Sequence, residues 1–482
     1  MKKSITKNYI YNLTYQILII ILPIITTPYL SRVLGAEILG IYSYTLAIAT
    51  YFITFGSLGV ALYGQREIAF EQDNPDKYSK TFWEILIFRF ITMSISIVLY
   101  YIVFINGTQY QLYYKILLLE IIGNCIDISW FFQGLEEFKK TVFRNTIVKI
   151  ISLISIFAFV KTKNDLTIYF VIYVLSTLIG NLTLWFYLPK YLVHVNFKDL
   201  QIFKHLKPTL TLFVPQIAVQ VYTLLDKTMI GTIISDKSEV GYYDQAQKII
   251  KMLLTIITSF GTVMMPRIAN TYSKGDKEQI QKYMSNSFCV VFMLAFPLIF
   301  GIASVAPAFV PLFFGEGYDK VIILMRVISP IILLIGLSNV TGTQYLLPIK
   351  RQTEYTISVI CGAIINFIMN MILIPKYGAI GASIGTVIAE FTVTAVQAYF
   401  VKKDFDFKKV LLLSKNYIIS SIAMFVLCFG LSNLINKNAI LSICLQVILG
   451  AITYFIILFL MKDQFTIQIL KTIKKHRRLP KT

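Results

Sequence analysis

Chemistry-bearing residues are scarce in this 482-residue chain. It has three histidines, His194, His205 and His476, and they form no cluster. Its five cysteines, Cys125, Cys289, Cys361, Cys428 and Cys444, stand far apart and all fall within apolar runs. That spacing builds neither a metal site nor a disulfide framework, so they read as small packing residues. No nucleophile elbow, Walker loop or zinc motif occurs, and neither enzymatic chemistry nor an ATPase is expected. Charge is thin as well, at 15% of residues, with 25 acids against 45 lysines and arginines. No acid lies between Ile10 and Leu30.

What the chain has in abundance is apolar side chains, at 56% of residues, with a mean hydropathy of +0.69. Runs of roughly 20 apolar residues recur to the end, the length that crosses ~30 Å of hydrocarbon at ~1.5 Å per residue. The expected fold class is all-α and polytopic, with about fourteen spans, from 10–31 and 38–62 through 409–432 and 438–461. An even number places both termini on one side. Only seven of the 45 lysines and arginines fall in the loops on the other side. By the positive-inside rule both termini are therefore cytoplasmic. The net charge of +20 is thereby a matter of topology and implies no nucleic-acid partner. The basic tail "KTIKKHRRLPKT" is expected to lie against anionic membrane lipids. The first span is too long for a cleaved signal peptide and lacks a small-residue cleavage site after it.

The two halves of the chain repeat weakly. Span 1 leads through "SRVLGAEILGIYSY" into span 2, and span 7 leads through "LDKTMIGTIISDKSEVGYYDQA" into span 8. Each stretch has a cation (Arg32, Lys227), a nearby glycine and then Gly-x-Tyr (Gly40 to Tyr42, Gly241 to Tyr243) opening the next helix. Parallel repeats of this kind belong to transporters that hold substrate between halves. The expected division is a first lobe over 1–196 and a cytoplasmic linker helix over 197–206. A second lobe follows over 207–401, then two further spans and the tail over 402–482.

Several motifs resemble one family in its own order. "RVLGAEILGIYSY", "YGQREIA" and "ISWFFQGLEEFKKTVFRN" are followed by "VPQIAVQVYTLLDKTMIG", "EVGYYDQAQKI", "MMPRIANTYSKGD" and "NFIMNMILIPKYGAIGASIGTVIAEF". Together they resemble the Wzx-type polysaccharide flippases of the multidrug/oligosaccharidyl-lipid/polysaccharide exporter superfamily, over nearly the whole chain to about residue 401. The resemblance implies two six-helix lobes in a V around a central cavity that opens alternately to either side. The implied substrate is an oligosaccharide repeat unit on undecaprenyl pyrophosphate, moved between leaflets of the bacterial plasma membrane. Its implied partners are membrane lipids and the polymerase and initiating glycosyltransferase of the same pathway. No cofactor is expected, and a coupling proton or sodium ion leaves no motif.

A pyrophosphate bearing sugars cannot cross hydrocarbon unaided, because desolvating its charge and hydroxyls costs many kcal/mol. Fixed cations lower that cost, and arginine does so with a planar fork that stays charged. Intramembrane cations are therefore the residues to consider. Spans 1, 2, 7 and 8 line the cavity in the family resembled, which selects Arg32, Arg66, Lys227, Lys248 and Lys251, with Arg326 behind them. Asp244, Lys248 and Lys251, at i, i+4 and i+7, share one helix face. Asp226, Asp244 and Glu390 are candidates for gating or coupling, and Pro23 and Pro28 for a hinge in span 1. Arg89 is expected to pair with an acid of span 4 such as Asp127. In "IPKYGAIGAS", Pro375 is expected to end span 11, and Gly381 and Gly385 to give span 12 a small face for close packing.

Three other functions compete. A drug or cation antiporter of the same superfamily calls for an acidic cavity, whereas the candidates here are basic. A lipid II flippase also carries a pyrophosphate and is separated poorly by sequence. A membrane polymerase or glycosyltransferase requires a sizeable outward catalytic loop, and the outward loops are short.

Overall fold

The structure, a computed structural model, describes residues 5–434, 439–468 and 471. Most of the basic tail lies outside them. The chain divides into two compact units, residues 1–241 and 242–482.

In the first unit, α1 (Ile5–Ser57) is followed by α2 (Val60–Phe70), α3 (Pro75–Phe104), α4 (Gln111–Cys125), α5 (Ser129–Gly134), α6 (Phe138–Phe159), α7 (Leu166–Trp185) and α8 (Leu206–Ile233). α9 (Ser238–Ser273) passes from this unit into the second, which continues with α10 (Lys277–Phe314), α11 (Asp319–Ile328) and α12 (Ile331–Ser338). A π-helical stretch, Asn339–Leu346, precedes α13 (Gln352–Tyr377), α14 (Ala379–Val401), α15 (Phe407–Leu434) and α16 (Ala439–Leu460). Among the described residues twelve helical segments are long and apolar enough to cross a membrane. The first of these, Ile21–Phe70, contains predicted span 2 and the second half of predicted span 1, which begins earlier in the same helix α1. The predicted seventh is α8, a 28-residue helix. Every predicted span thus falls largely on helix, the fourth with a break at residues 126–128, and the chain is an all-α, multi-pass membrane protein.

The break between spans 1 and 2 lies at Gly35, whose φ of 79° and ψ of 171° no side-chain-bearing residue adopts without strain. α1 keeps helical dihedrals through Pro23 and Pro28, so the interruption is at the glycine and not at the prolines. Pro375 likewise lies inside α13, which runs on to Tyr377 and stops at Gly378, where φ is +56°. The expectation that Pro375 ends this span is corrected: proline forbids only the hydrogen bond from its own nitrogen, whereas a positive φ turns the chain. The small face of the next helix is as expected, since a Cβ on Gly381 would lie 2.3 Å from the Leu373 carbonyl oxygen.

α8, expected to open a second lobe, packs on α1 and α2 within the first unit. The repeat-related glycines explain the fit. A Cβ on Gly40 would lie 1.8 Å from the Lys237 carbonyl oxygen, and one on Gly241 would lie 2.0 Å from that of Ala36. The two Gly-x-Tyr motifs therefore meet at their glycines, backbone against backbone.

The 197–206 linker is not one helix. It forms two short 3₁₀ turns, Phe197–Asp199 and Ile202–His205, separated by extended Leu200. The Asn196 side chain caps the first by accepting from the Lys198 amide, and Phe197 and Phe203 stay exposed. A buried carboxylate holds the second turn instead. Glu84 of α3 is fully buried and accepts from the Gln201 amide at 2.9 Å, Lys204 Nζ at 2.6 Å and His205 Nε2 at 3.0 Å. The remaining imidazole nitrogen, Nδ1, lies 2.8 Å from the Tyr63 hydroxyl of α2; in the neutral ring, with Nε2–H donating to Glu84, it accepts from that hydroxyl. Three elements are thereby tied through one acid.

Burial lowers the His205 pKa, and the nearby Glu84 only partly restores it. A lowered pKa means the unfolded chain takes up the proton first. The stabilising contribution is therefore complete above the unfolded value of about 6.5 and is lost as pH falls through the folded value. We expect the apparent melting temperature of the purified protein to drop on acidification below neutrality, and His205→Gln to flatten that slope. An unchanged slope in the variant would show that other groups carry the acid sensitivity.

In the second unit, polar side chains fill the interior around α13 and α14. Thr341 Oγ1 donates to Gln397 Oε1 at 2.7 Å, and Gln397 Nε2 donates to Ser358 Oγ at 3.0 Å. Gln344 Nε2 donates to Asn339 Oδ1 at 3.0 Å, tying the π-helical stretch to itself. Asn366, Asn370 and Ser383 are fully buried.

Candidate functional site

Arg32 projects from α1 three residues before the break at Gly35. It is exposed, and its Nη1 donates back to the Pro28 carbonyl at 3.2 Å. Arg66 is also exposed, on α2, but it is engaged by its neighbour. Its Nε and Nη2 both donate to Glu67 Oε1, at 3.1 and 2.8 Å, and the guanidinium lies over the Tyr63 ring. About 33 Å of helix between Gly35 and Ser57 separates the two arginines along the chain. They do not share a site.

On α8, Asp226 is buried and Lys227 half-buried. The neighbouring α1–α8 face is polar: the Tyr51 and Thr228 hydroxyls lie 3.2 Å apart, and those of Tyr44 and Thr232 lie 3.4 Å apart. Lys237, a residue the sequence reading did not select, closes this face. Its Nζ donates to the Gly231 carbonyl at 2.6 Å and the Ile234 carbonyl at 3.0 Å, and it sits over the Tyr44 ring. It thus satisfies carbonyls that the end of α8 leaves open.

In the second unit, α9 carries Asp244, Lys248 and Lys251 on one face. Buried Asp244 and half-exposed Lys248 form an ion pair at 2.8 Å, and Lys251 is exposed one turn on. The same helix supplies Ile249, Leu253 and Ile256 to an adjoining apolar groove of 490 Å³, completed by α10, α15 and α16 through residues such as Pro297, Met424 and Phe455. At ~100° per residue Lys248 lies about 80–140° and Lys251 about 140–160° around α9 from these groove residues, so the two faces point in different directions. The sequence reading missed this groove, although spans 13 and 14, left over from the six-plus-six scheme, form one wall of it. Arg326 of α11 is exposed and held on α10, with Nε donating to the Ala303 carbonyl at 3.0 Å. Glu390 of α14 is buried, and its carboxyl makes no ion pair among the described residues.

Arg89 meets its expected partner only at longer range. It is buried, and Nη2 donates to the Asn124 carbonyl at 2.6 Å, while the Asp127 carboxylate acts on its charge without a direct ion pair. Asp127 is occupied locally, accepting from the Ser129 amide at 2.9 Å and the Ser129 hydroxyl at 3.0 Å. The acids Glu84 and Glu120 were also missed. Each is a lone carboxyl in an apolar run, which is itself a signal.

Comparison with known proteins places the chain. The family described as "Polysaccharide biosynthesis protein" matches residues 5–272, and the family "MatE" matches residues 212–372. The "Putative O-antigen transporter" of Escherichia coli is 26% identical over 409 residues, covering 84% of this chain and 98% of that one. The "Probable low-salt glycan biosynthesis flippase" of Haloferax volcanii is 24% identical over 243 residues, about half of each chain (48% and 49%). Among solved structures, "Lipid II flippase MurJ, inward closed conformation" superposes with a TM-score of 0.73 at 16% identity, over 94% of this chain and 99% of that one. That likeness concerns the fold. The family match spans more than half of the residues: the chain belongs to the polysaccharide biosynthesis protein family, within the multidrug/oligosaccharidyl-lipid/polysaccharide exporter superfamily.

Proposed function

We propose that this protein moves a lipid-linked oligosaccharide, a repeat unit on undecaprenyl pyrophosphate, from the inner to the outer leaflet of the bacterial plasma membrane. It does so by alternating access, with both termini cytoplasmic and no chemical step of its own. The observation that carries this reading is α9, which presents the cations Lys248 and Lys251 on one face and lines an apolar groove with another. An anionic head suits the first of these faces and a long hydrocarbon chain the second. The names borne by the Escherichia coli and Haloferax relatives support the same reading. Arg32 and Lys227 are proposed as further contacts to the head, and Asp226, Asp244 and Glu390 as the acids that couple transport to a proton or sodium ion.

The test is complementation of a bacterial strain lacking its capsule flippase. Wild-type protein is expected to restore surface polysaccharide. Arg32→Ala and Lys251→Ala are expected to lower it by about 10–100-fold at unchanged membrane abundance, the size of a lost hydrogen bond to a charged group. Normal export in both variants would remove the cationic mechanism. Failure of the wild type, together with rescue of a lipid II flippase mutant, would reassign the substrate.

A further inference from the structure

The chain joining α7 to α8 climbs along α3. The Tyr191 carbonyl accepts from the Tyr78 hydroxyl at 2.8 Å, and the Val193 amide donates to Ser79 Oγ at 3.1 Å. Further on, the Phe197 and Trp83 rings lie 5.4 Å apart, and the Gln201 amide reaches Glu84. These contacts advance from Tyr78 to Glu84, ~9 Å along the helix axis. They advance toward the membrane, because Lys80 is the last lysine of α3 before its apolar run. The two 3₁₀ turns therefore stand beside the start of a membrane-spanning helix, ~5 Å past Lys80.

At that level the chain turns large apolar side chains outward. Phe197 is 58% and Phe203 68% exposed, and Phe186, just past the end of α7, is 82% exposed. Facing water, such rings forgo the gain of burial; facing acyl chains, they recover it. The side chains around them are cationic. Lys190, Lys198 and Lys207 are exposed, and Asp199 is the only acid from Phe186 to Lys207. We propose that residues 186–207 form an interfacial anchor, bound to the cytoplasmic leaflet of an anionic membrane. Phe197 and Phe203 insert at the boundary between headgroups and acyl chains, and Lys198 and Lys207 meet lipid phosphates. A bilayer surface that bears anionic lipids matches rings and lysines with its two layers. The Glu84 cluster sets the depth, since it holds Gln201, Lys204 and His205, which bracket Phe203 in sequence. The anchor uses none of the residues proposed to contact substrate, so it stands apart from the transport reading.

The test uses the full-length protein in vesicles of phosphatidylcholine, with and without phosphatidylglycerol. Cys361→Ser and Cys444→Ser leave only buried cysteines. A spin label is then attached at Phe203→Cys, at Phe197→Cys, or at Lys274→Cys on the exposed α9–α10 turn. Collisions with dissolved oxygen and with a water-soluble nickel chelate report which medium each label meets. The labels replacing Phe203 and Phe197 are expected to be about tenfold less accessible to nickel than the label replacing Lys274, with oxygen favoured instead. Phosphatidylglycerol should deepen this protection, and Lys198→Gln combined with Lys207→Gln should remove the gain. Glu84→Ala, which frees the second turn, should bring the label replacing Phe203 toward the accessibility of the one replacing Lys274. Equal nickel access at Phe203→Cys and Lys274→Cys would overturn the proposal and leave the rings as a surface for a protein partner. Protection that ignores phosphatidylglycerol would overturn it as well.

Discussion

Gly40→Ala is expected to cut polysaccharide export at least tenfold and to lower the melting temperature, with the chain still inserted in the membrane. The added methyl carbon would stand 1.8 Å from the Lys237 carbonyl oxygen, well inside contact distance. That oxygen belongs to backbone and has no rotamer into which to retreat. Either the α8–α9 turn moves or α1 does, and overpacking of this kind costs about 1–3 kcal/mol. Gly241→Ala meets the Ala36 carbonyl at 2.0 Å and should behave alike. The control is Gly430→Ala, where an added Cβ meets nothing within 4 Å; helix propensity alone makes that change neutral or mildly stabilising. Surface polysaccharide, membrane abundance and thermal unfolding measured on the three variants decide the matter. Wild-type behaviour of Gly40→Ala would mean that the two Gly-x-Tyr segments separate at no cost.

The largest loss of stability from one side chain is expected at Glu84. Removing it leaves His205 buried, the Gln201 amide without an acceptor and Lys204 without its counter-charge. Leaving the His205 Nε2–H and the Gln201 amide as buried donors without an acceptor costs about 1–3 kcal/mol each. Tyr63→Phe removes one hydrogen bond from the same cluster and should cost only ~0.5–1.5 kcal/mol. Glu84→Gln keeps an acceptor oxygen and should fall between. The order of apparent melting temperatures, Tyr63→Phe above Glu84→Gln above Glu84→Ala, is the observable. Equal melting of Glu84→Ala and wild type would mean that the linker is not held through this carboxylate. Because the cluster fastens the second 3₁₀ turn at the entry to α8, Glu84→Ala should also expose the 197–206 segment to protease.

The helices were legible in the sequence because apolar runs of membrane length admit few other structures. The Gly35 break was legible too, as a glycine in the short gap between the first two such runs. Helix ends were less so: Pro375 looked like a terminator, yet the chain turns at Gly378, since one missing donor is a weaker constraint than a positive φ. Of the candidate cations, the α9 group was readable from i, i+4 spacing, and the structure adds the Asp244–Lys248 pairing. Arg66 and Arg326 could not be judged from spacing, because their partners, Glu67 and the Ala303 carbonyl, depend on rotamer and on a helix 23 residues away. The Glu84 cluster joins residues more than 30 positions apart. No periodicity in a single chain reports such encounters.

The π-helical stretch Asn339–Leu346 has a consequence for how related chains diverge. Its wider turns hold one residue more than α geometry needs, so a relative could delete a residue there and keep a continuous helix. The wider turns already absorb that residue, so the helix after the deletion would keep its facing and only the stretch itself would be rearranged. Thr341 and Gln344 would face new neighbours while the run of apolar letters stayed the same. Relatives differing by one residue in this segment should therefore be compared by which side chains point inward, since letter-by-letter matching would equate residues on different faces.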